Sequence, residues 1–168
     1  DTADFLKKHE IEGTMFNEYG FGGYLIWRLY PERKVFIDGR LLDPEFINEY
    51  RTIASASSGM QKSWEDIIKK YNISYIIMPP LYPTGEIYPI VERLIESDDW
   101  ALVYNDHLSL IFIKKDSNND FLIKSFIKDT KTSNCIFKRI DLFNRFWEFW
   151  IYLINKRISR KINFSLIG

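Results

Sequence analysis

Short apolar blocks punctuate the first 113 positions, and their internal spacing alternates between strand-like runs and helical faces. Thr2 precedes Phe5 and Leu6 and predicts a short helix, capped by Thr2 and running to about His9, with Gly13 ending the turn. Residues 14–17 then read as a short strand, and residues 18–23 as a glycine-rich turn. Residues 24–29 form a short buried helix stopped at Pro31. Residues 34–38 have an apolar centre, Val35-Phe36-Ile37, with two β-branched residues, and predict a strand ending at Gly39. Near-continuous apolar strands of this kind suit a sheet covered on both faces.

The alternation continues downstream. Asp43 and Pro44 open a helix carrying Phe46, Ile47 and Tyr50, with Asp43 as its cap. A polar loop over residues 55–59 leads to a second helix opened by Ser63, with Glu65 and Asp66 in its first turn. Residues 74–78 are a strand closed by Pro79 and Pro80, and residues 86–96 a helix with Ile87, Ile90, Val91, Leu94 and Ile95 on one side. Residues 100–104 and 108–113 are two strands joined through Asn105, Asp106 and His107 as an antiparallel hairpin. The order β-α-β-α-α-β-α-β-β predicts an α/β fold: a Rossmann-like, mainly parallel sheet with a C-terminal antiparallel hairpin. A polar stretch over residues 116–120 divides this domain, residues 1–115, from an extension over residues 116–168. The extension predicts a helical tail, with helices at 121–129 and 136–158, and the second of these is ringed by Phe143, Phe146, Trp147, Phe149, Trp150, Tyr152 and Leu153.

Charge sharpens that division. The net formal charge of the chain is zero, which argues against a general nucleic-acid binder. Residues 1–119 nevertheless carry 13 Lys+Arg against 19 Asp+Glu, and residues 120–168 carry 10 against 4. A basic, aromatic tail on an acidic domain predicts either docking on that domain or contact with an anionic membrane surface, through Arg145, Trp147, Trp150, Lys156 and Arg157. Lys138, Arg139, Arg160 and Lys161 add to its basic character. The single cysteine, Cys135, excludes an internal disulfide and is neutral about compartment. No run of 18 apolar residues occurs. The first residue is Asp1 rather than Met, so an upstream segment is expected.

Candidate chemistry is sparse. Gly20, Gly22 and Gly23 lie at a strand-to-helix junction, where glycine lets backbone approach a ligand, and Asp38 follows at the end of the next predicted strand. That is the layout of a nucleotide or adenosyl-cofactor site, but the third glycine of the dinucleotide motif is missing, and Leu25 is bulky. The alternative is a tight turn. Asp38, Gly39 and Arg40 place an acid and a base where open α/β sheets bind ligands; the competing reading is a local ion pair holding the loop. His9 and His107 lack metal-ligand spacing and read as solvated, and no catalytic nucleophile, metal set or cofactor is predicted.

Residues 17–40, NEYGFGGYLIWRLYPERKVFIDGR, carry a pattern N-x-x-x-x-G-G-Y-L-x-W…P…F-I-D-G-R. This run resembles the C-terminal extracytoplasmic domain of bacterial polytopic membrane glycosyltransferases of the GT-C type, relatives of the dolichyl-phosphate-mannose protein mannosyltransferases and of oligosaccharyltransferase-like enzymes. The resemblance extends to about residue 113 and is most specific in the first 40. It implies a domain on the extracytoplasmic side of the cell membrane, joined to an upstream transmembrane portion of the same polypeptide. The partners it implies are a lipid-linked sugar or an acceptor. In such enzymes the catalytic acids sit on loops of the membrane portion, so no catalytic residue is carried over. Asn17, Gly22, Gly23, Trp27, Asp38, Gly39 and Arg40 match the pattern, and Asn17, Gly22, Gly23, Asp38 and Arg40 are the candidate binding residues. A nucleotide-binding enzyme and a purely structural assembly module are the alternatives.

Overall fold

The computed structural model describes residues 1–40, 43–58, 62–106, 108–116 and 119–127. His107, Cys135, the predicted helix at 136–158 and the five membrane-surface candidates Arg145, Trp147, Trp150, Lys156 and Arg157 lie outside the described residues. The chain divides into two compact units, Asp1–Asp129 and Thr130–Gly168, and the described residues all belong to the first.

Helix α1 spans Thr2–Lys8, and strand β1 spans Thr14–Asn17. The cap of α1 is Asp1 rather than Thr2: its carboxylate accepts from the Asp4 amide, while Thr2 is buried and its hydroxyl bonds that of Ser109. A 3₁₀ turn at Tyr19–Phe21 runs directly into helix α2, Gly22–Leu29, so part of the predicted glycine-rich turn is already helical. Helix α3 is Pro44–Ala54, capped by Asp43 with proline in its first turn. Helix α4 is Trp64–Lys70, opened by a capping box in which Ser63 and Asp66 satisfy each other's backbone amides. Strand β2 is Ile73–Met78, and helix α5, Pro89–Glu96, begins three residues later than its apolar pattern suggests because Ile87 is held in a bridge to Leu81. Strands β3, Trp100–Asn105, and β4, Leu110–Lys114, form the predicted hairpin, and helix α6 is Asp120–Ile127.

Among the described residues these strands make one four-stranded sheet in the order β1-β2-β4-β3. The fold is mixed α/β. The expectation of a mainly parallel, Rossmann-like sheet is corrected: β1 and β2 pair in parallel, but β2–β4 and β4–β3 are antiparallel. The hairpin supplies the antiparallel side of the sheet, with β4 against β2 and β3 at the edge.

The missing parallel strand is the segment at residues 34–38, which is not in the sheet. Its apolar residues are wholly or partly covered by other means. Phe36 packs its ring against Phe16, Phe46 and Tyr71 at centroid distances of 5.1, 4.7 and 5.2 Å, and Ile37 is buried. An apolar run reports burial; it does not by itself report a hydrogen-bonded ladder.

Both faces of the sheet are covered, as the apolar strands require. Met15, Tyr75, Ile77, Ile111 and Ile113 form one core with Leu6 of α1, Leu25 and Leu29 of α2 and Ile123 of α6. The alternate residues Phe16, Ile76, Met78, Leu110 and Phe112 are buried on the opposite face, where α4 meets β2 and α5 meets β3. No helix of the described residues is long and apolar enough to cross a membrane.

Candidate functional site

The five candidate binding residues come together at the C-terminal end of β1. Asn17, the last residue of β1, is fully buried, and its side-chain amide acts as a surrogate strand edge. Its Oδ1 accepts from the backbone amides of Phe36, at 2.8 Å, and Ile37, at 3.4 Å. Its Nδ2 donates to the Ile37 carbonyl at 2.9 Å and the Glu18 carbonyl at 2.8 Å. One side chain thus satisfies the buried backbone that a neighbouring strand would otherwise pair.

Gly22 completes the junction. A Cβ at this position would lie 2.3 Å from the Ile37 carbonyl oxygen and 2.7 Å from the Asp38 Cα, so only glycine lets α2 begin against this segment. Gly23 differs, because a Cβ there meets nothing within 4 Å. The first glycine is a close-approach position, and the second leaves an open surface at the start of the helix.

Asp38 and Arg40 make the local pair. The Asp38 carboxylate accepts from the Arg40 backbone amide at 3.0 Å, from Nε at 2.8 Å and from Nη2 at 3.0 Å. Those Arg40 side-chain and backbone hydrogen bonds hold the Asp38 carboxyl down at about 2. The Arg40 side chain is 79% exposed, so one end of the guanidinium is fixed by Asp38 while the rest faces solvent. Asp38 does not end a sheet strand, and its carboxylate is occupied by Arg40. A ribose acid at the tip of a second parallel strand therefore has no counterpart here.

Three features had no local signature in the sequence. Glu49 of α3 is 6% exposed and receives Lys70 at 2.8 and 2.9 Å, Lys62 at 3.0 Å and the Tyr71 hydroxyl at 2.6 Å. Burial opposes its ionisation, but the hydrogen bonds from Lys70, Tyr71 and Lys62 prevail and bring the carboxyl down to about 2. Its partners are distant in sequence, so no helical spacing announces them. The second feature is a set of phenols: Tyr50, stacked on Phe16, is pushed up to about 12 by burial, and Tyr82 and Tyr88 stack at 3.6 Å, with burial raising both. The third is the outer side of α2, where Trp27 is 77% exposed and Tyr30, just past the helix, 70%. His9, expected to be solvated, instead packs between Phe5 and Phe126 at 4.5 and 4.8 Å, and burial together with Lys8 lowers its pKa.

Two surface hollows lie on the side of α1 and α2. One of about 440 Å³ is lined by charges of both signs from Lys7, Glu10, Glu12, Glu32 and Arg33. The other, of about 200 Å³, is mostly apolar and lies between Phe21, Tyr24 and Leu108. No group of three or more potential metal ligands occurs among the described residues.

No family model matches the chain, and no curated protein matches it in sequence. Among solved structures it is similar to the C-terminal globular domain of an oligosaccharyltransferase from Archaeoglobus fulgidus, with a TM-score of 0.50 and 11% identity. The likeness covers 68% of this chain and 94% of that domain. At this identity what the two share is the fold: a mixed α/β arrangement that matches nearly all of a globular domain belonging to an oligosaccharyltransferase.

Proposed function

We propose that this chain is an extracytoplasmic accessory domain of a membrane glycosyltransferase of the GT-C type, one that helps position an acceptor or a lipid-linked sugar and leaves the chemistry to the membrane portion. The observation that carries the reading is the fold shared with the globular domain of an oligosaccharyltransferase. The resemblance of residues 17–40 is independent of that fold and points to the same kind of parent.

The geometry supplies a physical reason for the pattern in that run. Asn17, Gly22 and the segment leading through Asp38 to Arg40 depend on one another, through three hydrogen bonds between the Asn17 amide and residues 36–37 and one close backbone approach. In this reading the buried members, Asn17 and Gly22, build the loop. The exposed members, Gly23 and Arg40, are the part available to a ligand, with Asp38 orienting the guanidinium. The basic aromatic tail, through Arg145, Trp147, Trp150, Lys156 and Arg157, is proposed to meet an anionic membrane surface, a role supported by its composition.

The test is the reading frame upstream of the codon for Asp1. Several apolar segments of about 20 residues each ending shortly before it are expected. A cleavable leader or a start codon immediately upstream would remove the membrane parent and sink the proposal. The binding role has its own check. An Arg40→Ala variant should lose affinity for acceptor peptide or lipid-linked sugar while its melting temperature falls only by what the lost Asp38 pairing contributes, and undiminished affinity would take Arg40 out of the site.

A further inference from the structure

We infer that the outer face of α2 is a stacking platform for an uncharged saccharide. The inference rests on the accessory-domain reading only in taking sugar as the ligand that needs positioning; the platform itself stands on its own geometry. Leu25 and Leu29 bury one side of α2 in the core, which leaves Tyr24, Trp27 and Arg28 on the other. Large flat rings facing water are costly to leave uncovered, since each could remove a substantial apolar area from solvent. Here they are also pre-set. The Tyr24 and Trp27 rings lie 6.4 Å apart, and the Arg28 guanidinium sits 5.7 Å from each centroid. Arg28 is itself pinned, by Asp1 at 2.7 Å and Asp4 at 2.5 Å, and it donates to the Tyr24 hydroxyl at 3.1 Å. Ordering entropy for this guanidinium and the ring it bonds is therefore already spent before a ligand arrives.

The face continues into the apolar groove of about 200 Å³, in which Tyr24 is a shared wall and Leu108 is exposed at the rim, while Asp106, Thr2 and Ser109 line it with their polar atoms bonded within the chain. A pyranose ring offers the complementary surface, with C–H bonds on its faces for aromatic rings and hydroxyls on its edge for carboxylates and guanidinium. Charge selects among occupants. Among the described residues, three side-chain carboxylates, Asp1, Asp4 and Asp106, border this face against Arg28 and the Asp1 ammonium, a net negative balance that disfavours phosphate, anionic lipid headgroups and other polyanions and leaves a neutral polyol unopposed.

The test uses the full 168-residue chain, titrated with three neutral oligosaccharides: chitohexaose, mannohexaose and maltohexaose. Binding is read by saturation-transfer NMR on the sugar C–H protons and by tryptophan fluorescence. At least one should bind saturably, with Trp27→Ala weakening it at least about tenfold and Trp27→Phe retaining most of the affinity. Trp27 is exposed, so both variants should melt with the parent. Failure of all three sugars to bind at millimolar concentration overturns the inference, as does binding that Trp27→Ala leaves intact. Flotation with phosphatidylcholine–phosphatidylglycerol vesicles and sedimentation equilibrium run alongside. A Trp27-dependent association with vesicles or with a second copy, in place of sugar binding, assigns the face to that occupant and overturns it too. A membrane parent found upstream with no sugar bound would leave the accessory-domain reading standing alone, and sugar bound without such a parent would do the reverse.

Discussion

The two ends of the sheet hold their neighbours in opposite ways. At the β3–β4 end, attachment is distributed: five residue pairs join the hairpin on either side of a register shift at Val103, and β4 pairs four more times with β2. The turn is closed by Asp106, whose carboxylate accepts from the Leu108 and Ser109 amides and from the Tyr104 hydroxyl. At the β1 end, the backbone attachment of residues 36–38 is concentrated in one buried amide, Asn17, and one missing side chain, Gly22, beside the aromatic packing of Phe36. A distributed contact loses a little with each substitution. A concentrated one fails at a single position, and substitutions at the two ends should expose that asymmetry.

The largest effect is expected at Asn17. Asn17→Asp keeps an acceptor for the Phe36 amide but replaces the donor that faces the Ile37 and Glu18 carbonyls with a buried negative charge. Chemical denaturation should show a loss of about 3–5 kcal/mol. A loss below about 1 kcal/mol would mean the segment is held by packing and the amide is dispensable. Gly22→Ala comes next, at about 2–3 kcal/mol, because backbone at residues 37–38 has to move. Its internal control is Gly23→Ala, one residue along the same helix, where open space and the better helix propensity of alanine predict no loss and a gain of up to about 1 kcal/mol. If the two glycines behaved alike, the close-approach argument would be wrong. In the distributed region, Ile111→Val should cost only about 0.5–1.5 kcal/mol, although Ile111 is fully buried.

The last effect is a pH dependence to which a carboxylate of each kind, buried Glu49 and surface-paired Asp38, contributes. Glu49 falls from an ordinary 4.5 to about 2 in the folded chain, and Asp38 from 3.8 to about 2. Both are depressed, so the folded state binds fewer protons than the unfolded one. The stability they contribute is complete above their ordinary values and is lost as pH falls from about 4.5 toward about 2. Melting temperature followed across that window should decline, and Glu49→Gln should flatten part of the decline. An identical slope in the variant would remove Glu49 from the account.

Much of the fold was legible in the chain. Residues 14–17 and 24–29, the Asp43–Pro44 and Ser63 helix starts, the strand before Pro79 and the C-terminal hairpin all appear where the local pattern places them. These features depend on near neighbours: a cap, a proline, a polar turn between apolar runs. The loop of residues 17–40 was legible as a conspicuous run of residue types, and its glycine, acid and base were visible. What each of them does was not. The same Gly-Gly pair fits an anion cradle or a tight turn until something is seen to press against one glycine and not the other.

Sequence alone therefore determined most of the helices and strands, the burial of both sheet faces and the local Asp38–Arg40 option, because each follows from spacing along the chain. Tertiary structure decided the rest. It set the β1-β2-β4-β3 order, moved residues 34–38 from the sheet into an aromatic pocket, brought Lys62 and Lys70 onto Glu49 and left Trp27 facing water. The physical reason is that an apolar or charged residue specifies only that it needs burial or a partner. Which surface or partner supplies it is a long-range outcome, settled when distant segments compete for the same space and the same hydrogen bonds.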